Sequence, residues 1–178
     1  MNKLVMFSGL PGVGKTTISK LFCEMNNGST IDLDDFKRTD VDPRRVKEDI
    51  DPPDVRWGYY QKALDHAQTL FLGGAHLVVM DEVFHLAALR KKIDEFCRER
   101  GIHVVWIEIR CPYSVVRARL NRYERVGHLL SCEEALLMYR MFSDIFEPFE
   151  DKRGSRILVQ NVGFASIEQA VKFIQGKM

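Results

Sequence analysis

Gly9-Leu10-Pro11-Gly12-Val13-Gly14-Lys15-Thr16 decides how this chain is read. The octet fits GxxxxGK[ST], and each part of that pattern has a physical reason. Glycines let the backbone wrap closely around phosphates with its N–H groups pointing inward. A helix starting directly afterwards presents its positive end to the anion. In this pattern Lys15 reaches the β- and γ-phosphates and the Thr16 hydroxyl ligates Mg²⁺. Thr17 adds a hydrogen bond to the α-phosphate. The expected cradle for ATP is therefore Gly12, Val13, Gly14, Lys15, Thr16 and Thr17. Average residue frequencies produce the bare pattern by chance in roughly 0.5% of chains this long, so a merely structural glycine turn is the poorer account.

The flanks agree with the loop. Lys3 to Ser8 is a short apolar run that ends in glycine and reads as a buried strand. Ile18, Leu21, Phe22 and Met25 recur at helical spacing, and Asn26-Asn27-Gly28 stops that helix. Ser29 to Leu33 is a short strand opening into the acidic stretch Asp32-Leu33-Asp34-Asp35. Residues 38–55 carry many charges and three prolines and are expected to form a mobile surface loop. Tyr60, Ala63, Leu64, Ala67, Leu70 and Phe71 line a helical face closed by Gly73-Gly74. His76 to Met80 is an apolar strand followed by Asp81-Glu82. Leu86 to Cys97 is a helix, Ile102 to Ile109 a strand, and Val115 to Tyr123 an arginine-rich helix. Ser131-x-x-Glu134 is a capping box that opens a helix running towards Pro148, and Ser166-x-x-Gln169 caps a last helix after the strand Arg156 to Val159. Strands and helices alternate, with five strands in all. Their apolar runs are continuous rather than alternating, as in a parallel sheet covered on both faces.

Composition bounds the rest. The 178 residues suit one domain spanning 1–178. Hydrophobic residues at 46% and charged residues at 29% are ordinary for a soluble globular protein. The formal charge of +1 does not mark a nucleic-acid or membrane binder. Cys23, Cys97, Cys111 and Cys132 lack CxxC spacing and read as buried free thiols. The N-terminal apolar run is too short for a signal peptide, and no stretch is long enough to span a bilayer. The expected setting is a reducing cytoplasm, with the chain a monomer or homodimer.

SGLPGVGKTT, the DDFK/R element after the second strand, LGGAHLVVMDEVF and RCPYSVVRARLNRYERVG together resemble the small P-loop kinase superfamily. The likeness is to the branch with polynucleotide 5′-kinase domains, chloramphenicol phosphotransferase and zeta-toxin-like kinases, and it covers essentially the whole chain. It implies an α/β fold: a three-layer P-loop nucleoside-triphosphate hydrolase fold of nucleoside-monophosphate-kinase type, with a five-stranded parallel sheet and an arginine-bearing lid around 119–131. In that branch an aspartate after the second strand orients the acceptor hydroxyl and takes its proton. A basic residue three positions on helps to hold the phosphates. Both Asp34/Lys37 and Asp35/Arg38 have this spacing, with Asp34 slightly preferred. The lid positions that match are Arg122 and Arg125, which would embrace the transferring phosphoryl group, with Arg119 nearer the helix start.

The residues themselves leave rival readings open. An aspartate after a strand is also a common helix cap. An arginine run is often a solvated face. Asp81, at a strand's C-terminal end, is placed to hold Mg²⁺ or touch the acceptor. Glu82 carries less signal, and a lone His85 reads more simply as a surface histidine. Arg56, Trp57, Tyr59 and Tyr60 are candidates to line an acceptor pocket, and Asn161 to Gly163 to border adenine. The expected activity is transfer of the γ-phosphoryl group of ATP to a hydroxyl on a small molecule or a polynucleotide 5′ end, nucleic acid entering only as substrate. The alternatives are a nucleotide kinase with a phosphate acceptor and a nucleotide-binding ATPase or switch.

Overall fold

The computed structural model describes residues 1–40, 50–122, 131–150, 156–162 and 164–178, with backbone only for 38–40. Strand β1 (Lys3–Ser8) feeds the phosphate loop and helix α1 (Lys15–Met25). β2 (Ser29–Ile31) leads into α2 (Leu33–Asp40), and α3 (Pro53–Leu72) into β3 (Leu77–Glu82). Then come α4 (Ala87–Glu99), β4 (His103–Arg110), α5 (Tyr113–Leu120), α6 (Cys132–Ile145), β5 (Arg156–Gln160) and α7 (Ile167–Gln175). The five strands form one parallel sheet in the order β2-β3-β1-β4-β5.

The central strands β1, β3 and β4 bury both faces because helices cover both, whereas Thr30 on the edge strand β2 is exposed. Val5, Phe7, Val79, Val105, Ile107 and Val159 pack with Ile18, Phe22, Val116, Val171 and Ile174 of α1, α5 and α7. Leu4, Met6, Val78, Met80 and Trp106 pack on the other side with Tyr60, Leu64, Ala67, Leu89 and Ile93 of α3 and α4. That is why the strand sequences run apolar without alternation.

The local signals read in the sequence largely coincide with real ends. Ser131 accepts from the Glu134 N–H at 3.2 Å while its own N–H reaches the Glu134 carboxylate at 2.6 Å, a complete capping box. Ser166 accepts from the Gln169 N–H. Residues 38–55 are not one loop. Residues 38–40 end α2 and 53–55 open α3, with Pro53 at the first helical position, where its missing N–H costs nothing; 41–49 lie outside the described residues. Cys23, Cys97 and Cys111 are buried free thiols, whereas Cys132 is half-buried. Burial pushes the Cys97 thiol up to about 12.

Candidate functional site

The phosphate loop is built on backbone that only glycine adopts cheaply. Gly12 and Gly14 have φ of +78° and +96°. A Cβ on Gly14 would stand 2.5 Å from the Asn161 amide nitrogen, and one on Gly9 2.3 Å from the Ile109 carbonyl oxygen. Gly14 caps α1 without a side-chain acceptor, and the helix has no acidic residue in its first turn. Its leading N–H groups thus keep their capacity for an anion. The Lys15 ammonium donates to the Leu10 carbonyl at 3.0 Å, so it lies across its own loop.

Thr16 and Ser19, three apart on α1, both reach Asp81. The Thr16 hydroxyl donates to one carboxylate oxygen at 2.7 Å, and the Ser19 hydroxyl to the other at 3.2 Å. Burial pushes the Asp81 carboxyl up, and Lys15, Thr16 and Ser19 pull against that shift. Hydroxyl and carboxylate oxygens are the hard donors that Mg²⁺ takes, so this pair fits the ion. Ser19 was not singled out in the sequence, although its i+3 spacing from Thr16 places it on the same helical side.

Asp81 and Glu82 diverge because they are neighbours on a strand. Asp81 follows Leu77 and Val79 onto the α1 side, whereas Glu82 follows Val78 and Met80 onto the α3 side. There Glu82 is buried and bonded by Lys37, with Arg56 at 4.0 Å. Burial works against its charge, but Lys37 and Arg56 outweigh it and hold the carboxyl at about 2. Lys37 also donates to Asp34 at 3.1 Å and lies 5.5 Å from the centre of the Tyr59 ring.

Asp32, not Asp34 or Asp35, caps α2: its carboxylate accepts from the Asp34 N–H at 2.9 Å. Asp34 is then half-buried and turned to Lys37, while Asp35, one step around the helix, is exposed. His85 corrects the sequence reading: it is 3% exposed rather than on the surface, edge-on to Phe142 at 4.8 Å between ring centres. Burial, with Arg56 and Arg90 nearby, lowers it to about 4, so the ring is neutral.

The turn after β3 is held by all three of its carbonyls. Val83 accepts from Ser8, Phe84 from Arg90, and His85 from the Glu147 N–H, at 2.8, 2.7 and 3.0 Å. Phe84 has φ of +48°, a conformation that needs such support in a bulky residue. Arg90 is 5% exposed and also donates to the carbonyls of Glu147 and Pro148. Nothing in Arg90-Lys91-Lys92 marks it, because a charge run normally faces water.

Arg119 donates to the Asn161 carbonyl at 2.8 Å and to the Cys111 sulfur at 3.7 Å, and Asn161 donates its amide to the Val13 carbonyl at 2.6 Å. Arg119 and Asn161 therefore brace the phosphate loop from behind. Arg122 lies exposed in the turn after α5, where its N–H donates to the Arg119 carbonyl at 3.0 Å. Arg125, like Arg38's side chain and Gly163, lies outside the described residues.

A phosphate loop between β1 and α1, on a parallel sheet of order β2-β3-β1-β4-β5, defines a P-loop kinase fold. The chain belongs to the AAA domain family designated AAA_33, whose model matches residues 4–136, and with it to the small P-loop kinase superfamily. It is 33% identical over 100 residues to a protein named putative adenylate kinase from Pyrococcus abyssi (strain GE5 / Orsay). That match takes in 55% of this chain and only about half of the relative's own length, 56%. Two solved structures share the fold at low identity. One is a sugar kinase from Janibacter sp. HTCC2649, with a TM-score of 0.73 at 18% identity over 99% of this chain and 94% of that one. The other is a gluconokinase from Sinorhizobium meliloti 1021, with a TM-score of 0.70 at 16% identity over 98% and 90%. Among the described residues no helix is long and apolar enough to cross a membrane.

Proposed function

We propose that this protein is an ATP-dependent phosphotransferase that moves the γ-phosphoryl group to a hydroxyl. The loop amides, Lys15, Thr16 and Thr17 hold the triphosphate. Thr16 and Asp81 hold Mg²⁺, which when bound offsets charge on the phosphoryl oxygens. The acceptor oxygen forms a bond to the γ-phosphorus as the bond from that phosphorus to the β–γ bridging oxygen breaks. ADP leaves with the electron pair of that bond, and the hydroxyl proton passes to Asp34. Arg122 and Arg125 close on the equatorial oxygens. Asp35 is the lesser candidate for the base.

The observation that carries this reading is the Asp34–Lys37–Glu82 chain, in which one lysine bonds a half-buried carboxylate and a second, buried one. Such a group suits a neutral hydroxyl and repels a dianionic phosphate. One observation favours a rival, a nucleotide kinase with a phosphate acceptor: the 33% identity to the protein named putative adenylate kinase. The two separate in an assay of ATP turnover with nucleosides, sugars, antibiotics and 5′-hydroxyl oligonucleotides on one side and nucleoside monophosphates on the other. With the acceptor found, Asp34→Asn should lower transfer by ~10²–10⁴-fold with ATP affinity kept. Normal transfer by both Asp34→Asn and Asp35→Asn, or turnover with monophosphates alone, rejects the hydroxyl reading.

A further inference from the structure

Among the described residues, three buried side-chain polar atoms stand without a hydrogen-bond partner: Arg56 Nη1, Tyr59 Oη and Tyr60 Oη. They come from one stretch of α3, spaced i, i+3 and i+4, so they gather on one side of the helix. Arg56, Tyr59 and Tyr60 are 4%, 0% and 2% exposed. The Arg56 guanidinium and the Tyr60 hydroxyl are close enough to influence each other as a loose hydrogen-bonded pair, but Arg56 Nη1 and Tyr60 Oη do not meet full hydrogen-bond geometry. Native interiors carry only a few such groups per 100 residues, so it is the gathering of three at one place that calls for a partner.

We propose that this cluster is the specificity pocket for an uncharged polyhydroxylated acceptor (a sugar, a polyol or the ribose of a nucleoside), held through hydroxyls other than the one phosphorylated. This rests on the hydroxyl-kinase reading above. Lys37 connects the two places, since it binds both Asp34, the base of that reading, and Glu82, which neighbours Arg56.

The charges select the ligand class. Among the described residues, Lys37 and Arg56 are paired with the carboxylates of Asp34 and Glu82, and Asp51 adds negative charge beside Tyr59. An anionic group on Arg56 Nη1 would face the Glu82 carboxylate, 4.0 Å from that same nitrogen. A cation would face Lys37 and Arg56, and an apolar group would leave all three atoms unsatisfied. Burial and the charge of Glu82 push both tyrosines up, so each phenol stays neutral and can donate and accept. A vicinal hydroxyl pair likewise donates and accepts without charge.

The test is steady-state transfer from ATP by the full chain to pentoses, hexoses, inositol and ribonucleosides, each with monodeoxy analogues, and to 1-propanol and nucleoside 5′-monophosphates. At least one polyhydroxylated compound should be phosphorylated, with kcat/KM falling about 10-fold or more for an analogue that lacks one further hydroxyl. Tyr59→Phe and Tyr60→Phe should each raise the acceptor KM about 2- to 10-fold, the worth of one hydrogen bond, with the KM for ATP constant. Neither should lower the melting temperature, because each removes an orphaned hydroxyl. Wild-type acceptor KM in both variants, or equal use of the deoxy analogues, means the three atoms hold ordered water only and overturns the proposal. Equal kcat/KM for 1-propanol overturns the pocket but leaves the hydroxyl kinase standing. Transfer to monophosphates alone overturns both, and no transfer to any uncharged compound overturns the pocket.

Discussion

Thr16 Oγ1 and Asp81 Oδ2 lie 2.7 Å apart, joining the first turn of α1 to the C-terminal end of β3. Two residues 65 positions apart thus meet at the mouth of the phosphate loop, with Ser19 fixing the second carboxylate oxygen. Asp81→Asn keeps an acceptor for Thr16 but removes the charge. The Mg²⁺ concentration for half-maximal ATP turnover should rise by about 10- to 100-fold. Titration of turnover with Mg²⁺ measures this, and an unchanged midpoint excludes Asp81 from the metal site.

Lys15→Ala tests the loop itself. The side chain contacts the Leu10 carbonyl at a loop near the surface, so its loss should leave the melting temperature within about 1 °C. Turnover or ATP affinity should fall by about 10²-fold or more. A folded variant that binds and turns over ATP normally removes the basis for nucleotide chemistry here.

Asn161 should act on ATP through the loop it braces. Asn161→Ala deletes the 2.6 Å bond to the Val13 carbonyl and should raise the KM for ATP about 5-fold, with kcat less affected. Gly14→Ala should be worse, for two reasons that separate experimentally. Its φ of +96° costs an alanine about 1–2 kcal/mol, and the new Cβ would meet Asn161 at 2.5 Å. Combining the two substitutions relieves only the contact. Full recovery of stability in the double variant, measured by urea unfolding, would show that backbone strain plays no part.

His85 predicts an acid limb of stability. Its folded value of about 4 lies below the ordinary 6.5, so between these the unfolded chain binds a proton that the folded chain does not. Stability should therefore fall as pH drops from 6.5 to 4, by about 1–3 kcal/mol in all. Glu82, held at about 2 against an ordinary 4.5, adds a second loss that begins only below about pH 4.5. His85→Gln should flatten the upper part of the profile and leave the lower part. Equal slopes for wild type and variant from pH 6.5 to 5 contradict the assignment.

The sequence alone was enough for the order of elements, the parallel sheet and the phosphate loop. Those depend on short-range rules: apolar runs, capping residues, and glycines at positions where φ must be positive. Asp81 at a strand end was equally legible, and strand alternation contains the divergence of Asp81 and Glu82. What the tertiary structure decided is which charges are buried together. Lys37, Glu82 and Arg56 come from three elements, and no local pattern in the sequence pairs them. Glu82 and Arg56 are buried, and Lys37 half-buried, because α2 and α3 cover the sheet face onto which Glu82 points, where an ion outside water must find opposite charge. Arg90 and His85 were hidden for the same reason, since their partners lie across the fold at Phe84, Glu147 and Phe142. Asp34 and Asp35 are adjacent carboxylates that no local pattern separates. The helix start capped by Asp32 turns one towards Lys37 and leaves the other exposed, a difference of one step around the helix axis.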